Sequence, residues 1–140
     1  MAALHNLYLS LGSNLGDRHA LIRQAIALID ERVGVVYRVS SMHETEPWGF
    51  ESSHKFLNAC CQVRTMMMPH RCLEELQRIE RELGRGEKSH DGVYHDRTID
   101  IDMLMFDDLE LHDADLTLPH PHMHERDFVM VPLREILNKE

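Results

Sequence analysis

The stretch Arg97-Thr98-Ile99-Asp100-Ile101-Asp102-Met103-Leu104-Met105-Phe106 decides how this chain is read. Two acids alternate with apolar residues, a period of two that predicts a half-buried strand. Asp100 and Asp102 project from one face, and Ile99, Ile101 and Met103 from the other. Neighbouring carboxylates repel unless positive charge lies between them, and hard divalent cations such as magnesium favour carboxylate oxygen, often together with substrate phosphates. The pair is therefore a candidate metal site. A solvated edge strand with two surface acids would carry the same pattern.

Upstream of this strand, the segment from Gly84 to Asp96 is polar, contains glycine and carries Arg85, Lys88 and His90, which predicts a mobile loop. Before it, Pro69 suits the first turn of a helix in which Leu73, Leu76, Ile79, Glu80 and Leu83 keep helical spacing, with Glu80 the polar member of the stripe. A strand over about Phe56 to Thr65 places Leu57, Ala59, Cys61 and Val63 on one face and Phe56, Asn58, Cys60 and Gln62 on the other. Pro47-Trp48-Gly49-Phe50 forms a loop, and the alternation from Val33 through Val39 predicts a strand running on towards Thr45. At the start, a strand from Leu7 to Leu11 is broken by Gly12-Ser13-Asn14-Leu15-Gly16, and Asp17 caps a helix whose stripe is Leu21, Ile22, Ala25, Leu28 and Ile29. Downstream, Asp107-Asp108 signals a turn, weaker strand pattern spans Leu109 to Leu118, and Val129 to Leu137 forms a short terminal element. The order β-α-β-β-α-β is that of a split βαβ unit, an antiparallel sheet with two helices on one face and the other face free for ligands.

Composition narrows the function. The chain of 140 residues fits one domain, residues 1–140. With 24 acidic against 15 basic residues, general nucleic-acid binding and polybasic membrane attachment are disfavoured. Cys60, Cys61 and Cys72 form neither a metal-binding spacing nor an even set, so they read as reduced core thiols of a cytoplasmic protein. No apolar run reaches membrane-spanning length, and no export signal is expected. There is no GxxxxGK[ST] loop. A nucleotide site would instead combine the two strand acids with Arg97, Arg85, Lys88 and Arg126, because phosphoryl transfer rests on positioning and charge stabilisation. Each arginine alone would suit a surface.

Four motifs in order carry a family resemblance: Leu9-Ser10-Leu11-Gly12-Ser13-Asn14-Leu15-Gly16-Asp17, Phe56-Leu57-Asn58-Ala59, Arg97-Thr98-Ile99-Asp100-Ile101-Asp102, and Leu118-Pro119-His120 followed by Arg126 and Phe128. From Leu7 through about Leu133 the chain resembles the 6-hydroxymethyl-7,8-dihydropterin pyrophosphokinases of folate biosynthesis. The resemblance implies a ferredoxin-like three-layer α-β-α sandwich of the α+β class. It also implies an ATP-dependent diphosphotransferase that moves pyrophosphate to the hydroxymethyl group of the reduced pterin and releases AMP. Asp100 and Asp102 would bridge two magnesium ions, while Arg85 and Arg97 stabilise the transferring group. Phe56 and Phe128 would stack on the pterin, Asn58 would read its edge, and Thr45 and the backbone near Trp48 and Gly49 would complete that pocket. Gln77, Glu80, Lys88, Tyr94, Arg97, Met103, Thr117, His120 and Arg126 would bind ATP. A monomer is expected, and ATP is expected to order the loop of residues 84–96.

The chain departs from the family pattern in several places. Tyr94 stands where a tryptophan is common, Glu87 replaces a second loop arginine, Glu46 a proline, and Asp115 an arginine found in some members. The sequence also stops at Glu140, short of the tail many members carry. None of these changes removes a metal ligand. Considered without the resemblance, Phe56 and Phe128 would be core packing and Glu80 a solvated residue at the edge of its stripe. Two other classes remain open. His120-Pro121-His122-Met123-His124, in a chain with 11 histidines, could ligate a transition metal. An RNA-binding sheet of this topology would need aromatic and basic strand motifs and a different net charge.

Overall fold

The protein is described by a computed structural model over residues 3–45, 55–84 and 98–137. Strand β1 (His5–Ser13) lies inside an antiparallel sheet, flanked by β4 (Phe56–Thr65) and β5 (Asp100–Phe106). Strands β2 (Val35–Val39) and β3 (His43–Thr45) both pair with the outer side of β4. The sheet order is thus β2-β4-β1-β5, with β3 continuing the line of β2. Helices α1 (Arg18–Arg32) and α2 (Pro69–Glu82) join the strands in the order β-α-β-β-β-α-β, one strand more than the predicted β-α-β-β-α-β because the strand after α1 is divided into β2 and β3. A small hairpin of β6 (Leu111–His112) and β7 (Thr117–Leu118), a 3₁₀ turn (Met123–Glu125) and α3 (Asp127–Leu137) follow. This is an α+β fold.

Local chemistry sets the element ends. The Asp17 carboxylate accepts the Ala20 N–H at 3.1 Å and starts α1, as an N-cap aspartate should. Pro69 opens α2, where a missing N–H leaves nothing unpaired. Arg32 at the end of α1 reaches Glu82 on α2 at 2.8 Å and joins the two helices.

The period-two reading of β4 holds. Leu57, Ala59, Cys61 and Val63 pack with Ile22, Ile29, Leu76 and Ile79 under α1 and α2, while Cys60 faces α3 among Leu104, Val129, Leu133 and Ile136. Burial of each large aliphatic contributes about 1.5–3 kcal/mol. Burial also pushes the Cys60 thiol up to about 12 and Cys72 up to about 11, which keeps both protonated and inert.

Three expectations are corrected. Strand β1 does not break at Gly12 but runs to Ser13, because pairing on both sides holds it extended and Gly12 sits where a side chain would crowd its neighbours. The strand after α1 does not run unbroken to Thr45. It is interrupted at residues 40–42, where buried Ser40 donates its N–H to the Cys60 carbonyl and accepts the Cys60 N–H on Oγ, both at 2.9 Å. The second sheet face is not left wholly free either, since α3 covers part of it and makes the third layer. A bulge at Leu104, between the pairs Leu9–Met103 and Tyr8–Met105, shifts the alternation, so that Met105 joins Leu104 on the α3 side and Phe106 turns to the opposite core. Among the described residues no helix is long and apolar enough to cross a membrane.

Candidate active site

Sheet register assembles the site. Gly12 pairs with Asn58 on one side and Asp100 on the other, and Ser10 likewise lies between Cys60 and Asp102. His43 and Thr45 extend these rows beyond β4, opposite Asn58 and Phe56. All of these residues share the face that α3 covers elsewhere. The apolar cluster under α3 takes in Cys60 and Leu104 but not Phe56, Asn58, Asp100 or Asp102. Polar and aromatic groups thus collect at one end of a sheet whose other end is sealed.

Asn58 is 2 % exposed, and its Nδ2 donates to Thr45 Oγ1 at 2.6 Å. A buried amide held this way has a fixed orientation and can read a ligand edge. Phe56 is half-buried beside it. Phe128, at the first turn of α3, is also half-buried, with the buried Arg126 guanidinium carbon 5.8 Å from its ring centroid. The Arg126 carbonyl accepts the Val129 and Met130 N–H groups at 3.0 and 2.9 Å, so the arginine is fixed at the helix start. Phe128 flanks the α3 core from its edge, so core packing describes only part of its surroundings.

Asp100 and Asp102 are half-buried on β5, on one face as the alternation predicted. They form an all-oxygen donor set with no nitrogen or sulfur between them, which fits magnesium completed by phosphate and water. The peptide between them is anchored from the outer side. Glu80, 2 % exposed on α2, accepts the Ile101 N–H on Oε2 at 2.7 Å. Glu80 is therefore buried and bonded to the strand, which corrects its reading as a solvated residue. Gln77 lies one turn earlier on α2 and is half-buried.

Along the same strand, a cavity of about 280 Å³ is lined by Asp102, Met103, Thr117, His120, Leu73 and Asp115 among others. The His120 N–H donates to the Leu104 carbonyl at 2.8 Å and holds this loop against β5. The structure thus brings Asp102, Met103, Thr117 and His120 to one cavity, and Thr45, Phe56 and Asn58 together on neighbouring strands. Trp48, Arg85, Lys88, Tyr94 and Arg97 lie outside the described residues, as do Glu46, Gly49, Glu87 and the two predicted loops.

The histidine run does not form a metal cluster. His120 Nδ1 accepts the His122 N–H at 3.2 Å, and His122 turns towards Glu125, also at 3.2 Å. Among the described residues, the group of three ligand-type side chains that does converge is His70, Asp113 and Asp115. All three are exposed and held as a surface ion pair, with His70 Nε2 2.9 Å from Asp113.

Two contributors were missed in the sequence. Gly12 read as a strand breaker, although its parity with Tyr8 and Ser10 puts it on the ligand face. Arg18 donates at 2.8 Å to both the Lys55 carbonyl and Glu44, so one guanidinium brackets the strand ends that carry Phe56 and Thr45. No sequence signal marked that contact, because it joins residues far apart in the chain.

A ferredoxin-like sandwich with paired carboxylates on one strand, on the sheet face that also carries Phe56 and Asn58, is the layout of a small phosphotransferase. The model of the 7,8-dihydro-6-hydroxymethylpterin-pyrophosphokinase family matches residues 8–138. The chain belongs to that family. It is 52 % identical over 131 residues to the 2-amino-4-hydroxy-6-hydroxymethyldihydropteridine pyrophosphokinase of Porphyromonas gingivalis, covering 93 % of this chain and 89 % of that one. The enzyme of the same name from Bacillus subtilis is 44 % identical over 130 residues, or 92 % and 76 % of the two chains. Among solved structures, a Plasmodium falciparum HPPK-DHPS superposes with a TM-score of 0.74 at 16 % identity, over 95 % of this chain and 40 % of that longer one. At that identity the likeness is one of fold.

Proposed function

We infer that this protein transfers pyrophosphate from ATP to the hydroxymethyl group of 6-hydroxymethyl-7,8-dihydropterin, giving AMP and the pterin pyrophosphate in folate biosynthesis. Family membership supports the reaction. One observation of the molecule carries it further: Asn58 and Asp100 flank Gly12 in a single row, two strand spacings or about 10 Å apart. That separation suits a bicyclic ring read at one end by the amide, with its one-carbon arm extended towards the acids.

On this reading, Phe56 and Phe128 stack on the ring, and Asn58, oriented by Thr45, pairs with its donor–acceptor edge. Trp48 completes the same pocket. Met103, Thr117 and His120 receive the nucleotide in their cavity, with Gln77, Glu80, Lys88, Tyr94 and Arg126 contributing from the surrounding elements. The hydroxymethyl oxygen attacks the β-phosphorus as the bond to the α-phosphate breaks, and AMP leaves. Arg85 and Arg97 stabilise the transferring group. Asp100 and Asp102 would hold two magnesium ions, which when bound orient the triphosphate and offset its charge. Glu80 keeps the two acids in register through the Ile101 N–H. The chain acts as a single pyrophosphokinase domain, as a cytoplasmic monomer, without nucleic acid or membrane.

The reading is tested by incubating the protein with ATP, magnesium and the pterin and resolving the nucleotides by chromatography. AMP formed in step with a pterin pyrophosphate, and only when pterin is present, is the expected result. ADP, or no pterin-dependent product from folded protein, overturns it.

A further inference from the structure

We propose that Gly12 is a positioning residue for the pterin: its bare α-carbon leaves room for the Asn58 amide to take its ligand-binding orientation. The inference deepens the pterin reading and rests on it.

An ideal Cβ built at Gly12 would lie 3.0 Å from Asn58 Oδ1, 3.5 Å from Phe56 Cδ1 and 3.8 Å from Phe56 Cε1. Neither side can give way freely. Gly12 sits on β1, paired to Asn58 on one side and Asp100 on the other, so its backbone is held from both directions. Asn58 is almost wholly buried, and its Nδ2 is committed to Thr45 Oγ1 at 2.6 Å, which aims Oδ1 at Gly12. A methyl group at residue 12 therefore displaces the amide oxygen by a few tenths of an ångström from its fixed orientation, while its distances to the Phe56 ring stay those of ordinary contact. The same methyl would occupy the strip of sheet between Asn58 and Asp100, which the hydroxymethyl arm crosses. None of the residues a Gly12 Cβ would meet lines the nucleotide cavity.

The test compares wild type with Gly12→Ala. Binding of 6-hydroxymethylpterin is followed by its fluorescence, binding of a non-hydrolysable ATP analogue with magnesium by calorimetry, and folding by the cooperative thermal transition. An extra methyl group in a tight pocket costs about 10- to 200-fold, so pterin binding should weaken by at least about tenfold while ATP-analogue binding stays within about twofold. In turnover, the KM for pterin rises and the KM for ATP does not. Pterin affinity equal to wild type overturns the proposal and leaves the pterin reading standing. Joint loss of both ligands and of the thermal transition makes Gly12 a folding residue and also overturns it. Failure of wild type to bind the pterin overturns both.

Discussion

Glu80 Oε2 accepts the Ile101 N–H at 2.7 Å, so a helix carboxylate grips the one residue that separates Asp100 from Asp102. Among the described residues β5 is the edge strand and pairs only with β1, and a side chain from α2 supplies the partner of the Ile101 N–H on its other side. Glu80→Ala should leave a buried N–H without its acceptor and cost about 1–3 kcal/mol. Glu80→Gln keeps an acceptor oxygen and should retain most of that stability. Urea unfolding of the two variants checks this, and equal stability of Glu80→Ala and wild type would contradict it.

Asp102 is half-buried and lines the cavity proposed to receive the nucleotide, where it contributes charge more than packing. Asp102→Ala should unfold within about 1 kcal/mol of wild type, as half-exposed polar sites usually do. Its turnover should fall at least about a thousandfold, because charge stabilisation is the main catalytic device in phosphoryl transfer. Circular dichroism with a steady-state assay separates the two effects. An unfolded variant or wild-type turnover would refute the assignment.

Thr45 holds Asn58 through a single hydrogen bond. Thr45→Val keeps the shape and removes the acceptor, at a cost of about 0.5–1.5 kcal/mol, or roughly two- to twelvefold in affinity. The loss should fall on the KM for pterin, with the KM for ATP unchanged. Equal changes in both would mean that Thr45 acts on the fold rather than on the amide.

How far the sequence could be read depends on how local each signal was. The alternation in residues 99–103 and 56–63 fixed which side chains share a face, since a strand has only two. Asp17 and Pro69 marked helix starts through chemistry confined to a few residues. What escaped was long-range. Gly12 looked like a break because glycine is a poor strand former alone, yet β1 is held on both sides by partners distant in the chain. Apart from the family resemblance, which placed Glu80 at the ATP site, its helix pattern allowed a solvated residue, because its partner, the Ile101 N–H, is a backbone group that no side-chain pattern reveals. The covering of the second face by α3 rests on Leu104 and Cys60, which alternation already placed there, and on Met105, which reaches that side only through the bulge at Leu104.

Helix α3 is also tied to β3 by ionic and polar contacts. Glu135 accepts the Ser41 hydroxyl at 2.7 Å and the Ser41 N–H at 3.1 Å, and it pairs with His43. Burial raises its pKa, but the bonds from His43 and Ser41 outweigh that and bring it from 4.5 to about 2. A carboxylate whose pKa is lower in the folded state stabilises the fold above its unfolded value and loses that contribution as pH falls through the folded one. The contribution of Glu135 should therefore be full above about pH 4.5 and decline towards pH 2. Thermal unfolding followed from pH 6 to pH 2 should show Glu135→Gln with a shallower acid loss than wild type. Parallel curves would contradict the assignment.

The most direct test of the central claim is label transfer from ATP carrying ³²P at the α, β or γ position, with wild type and Asp102→Ala side by side. If the row from Asn58 to Asp100 is a pyrophosphokinase site, wild type moves β and γ label to the pterin and leaves α label in AMP, while folded Asp102→Ala moves none. Transfer of γ label alone, or equal transfer by the folded variant, would contradict the account.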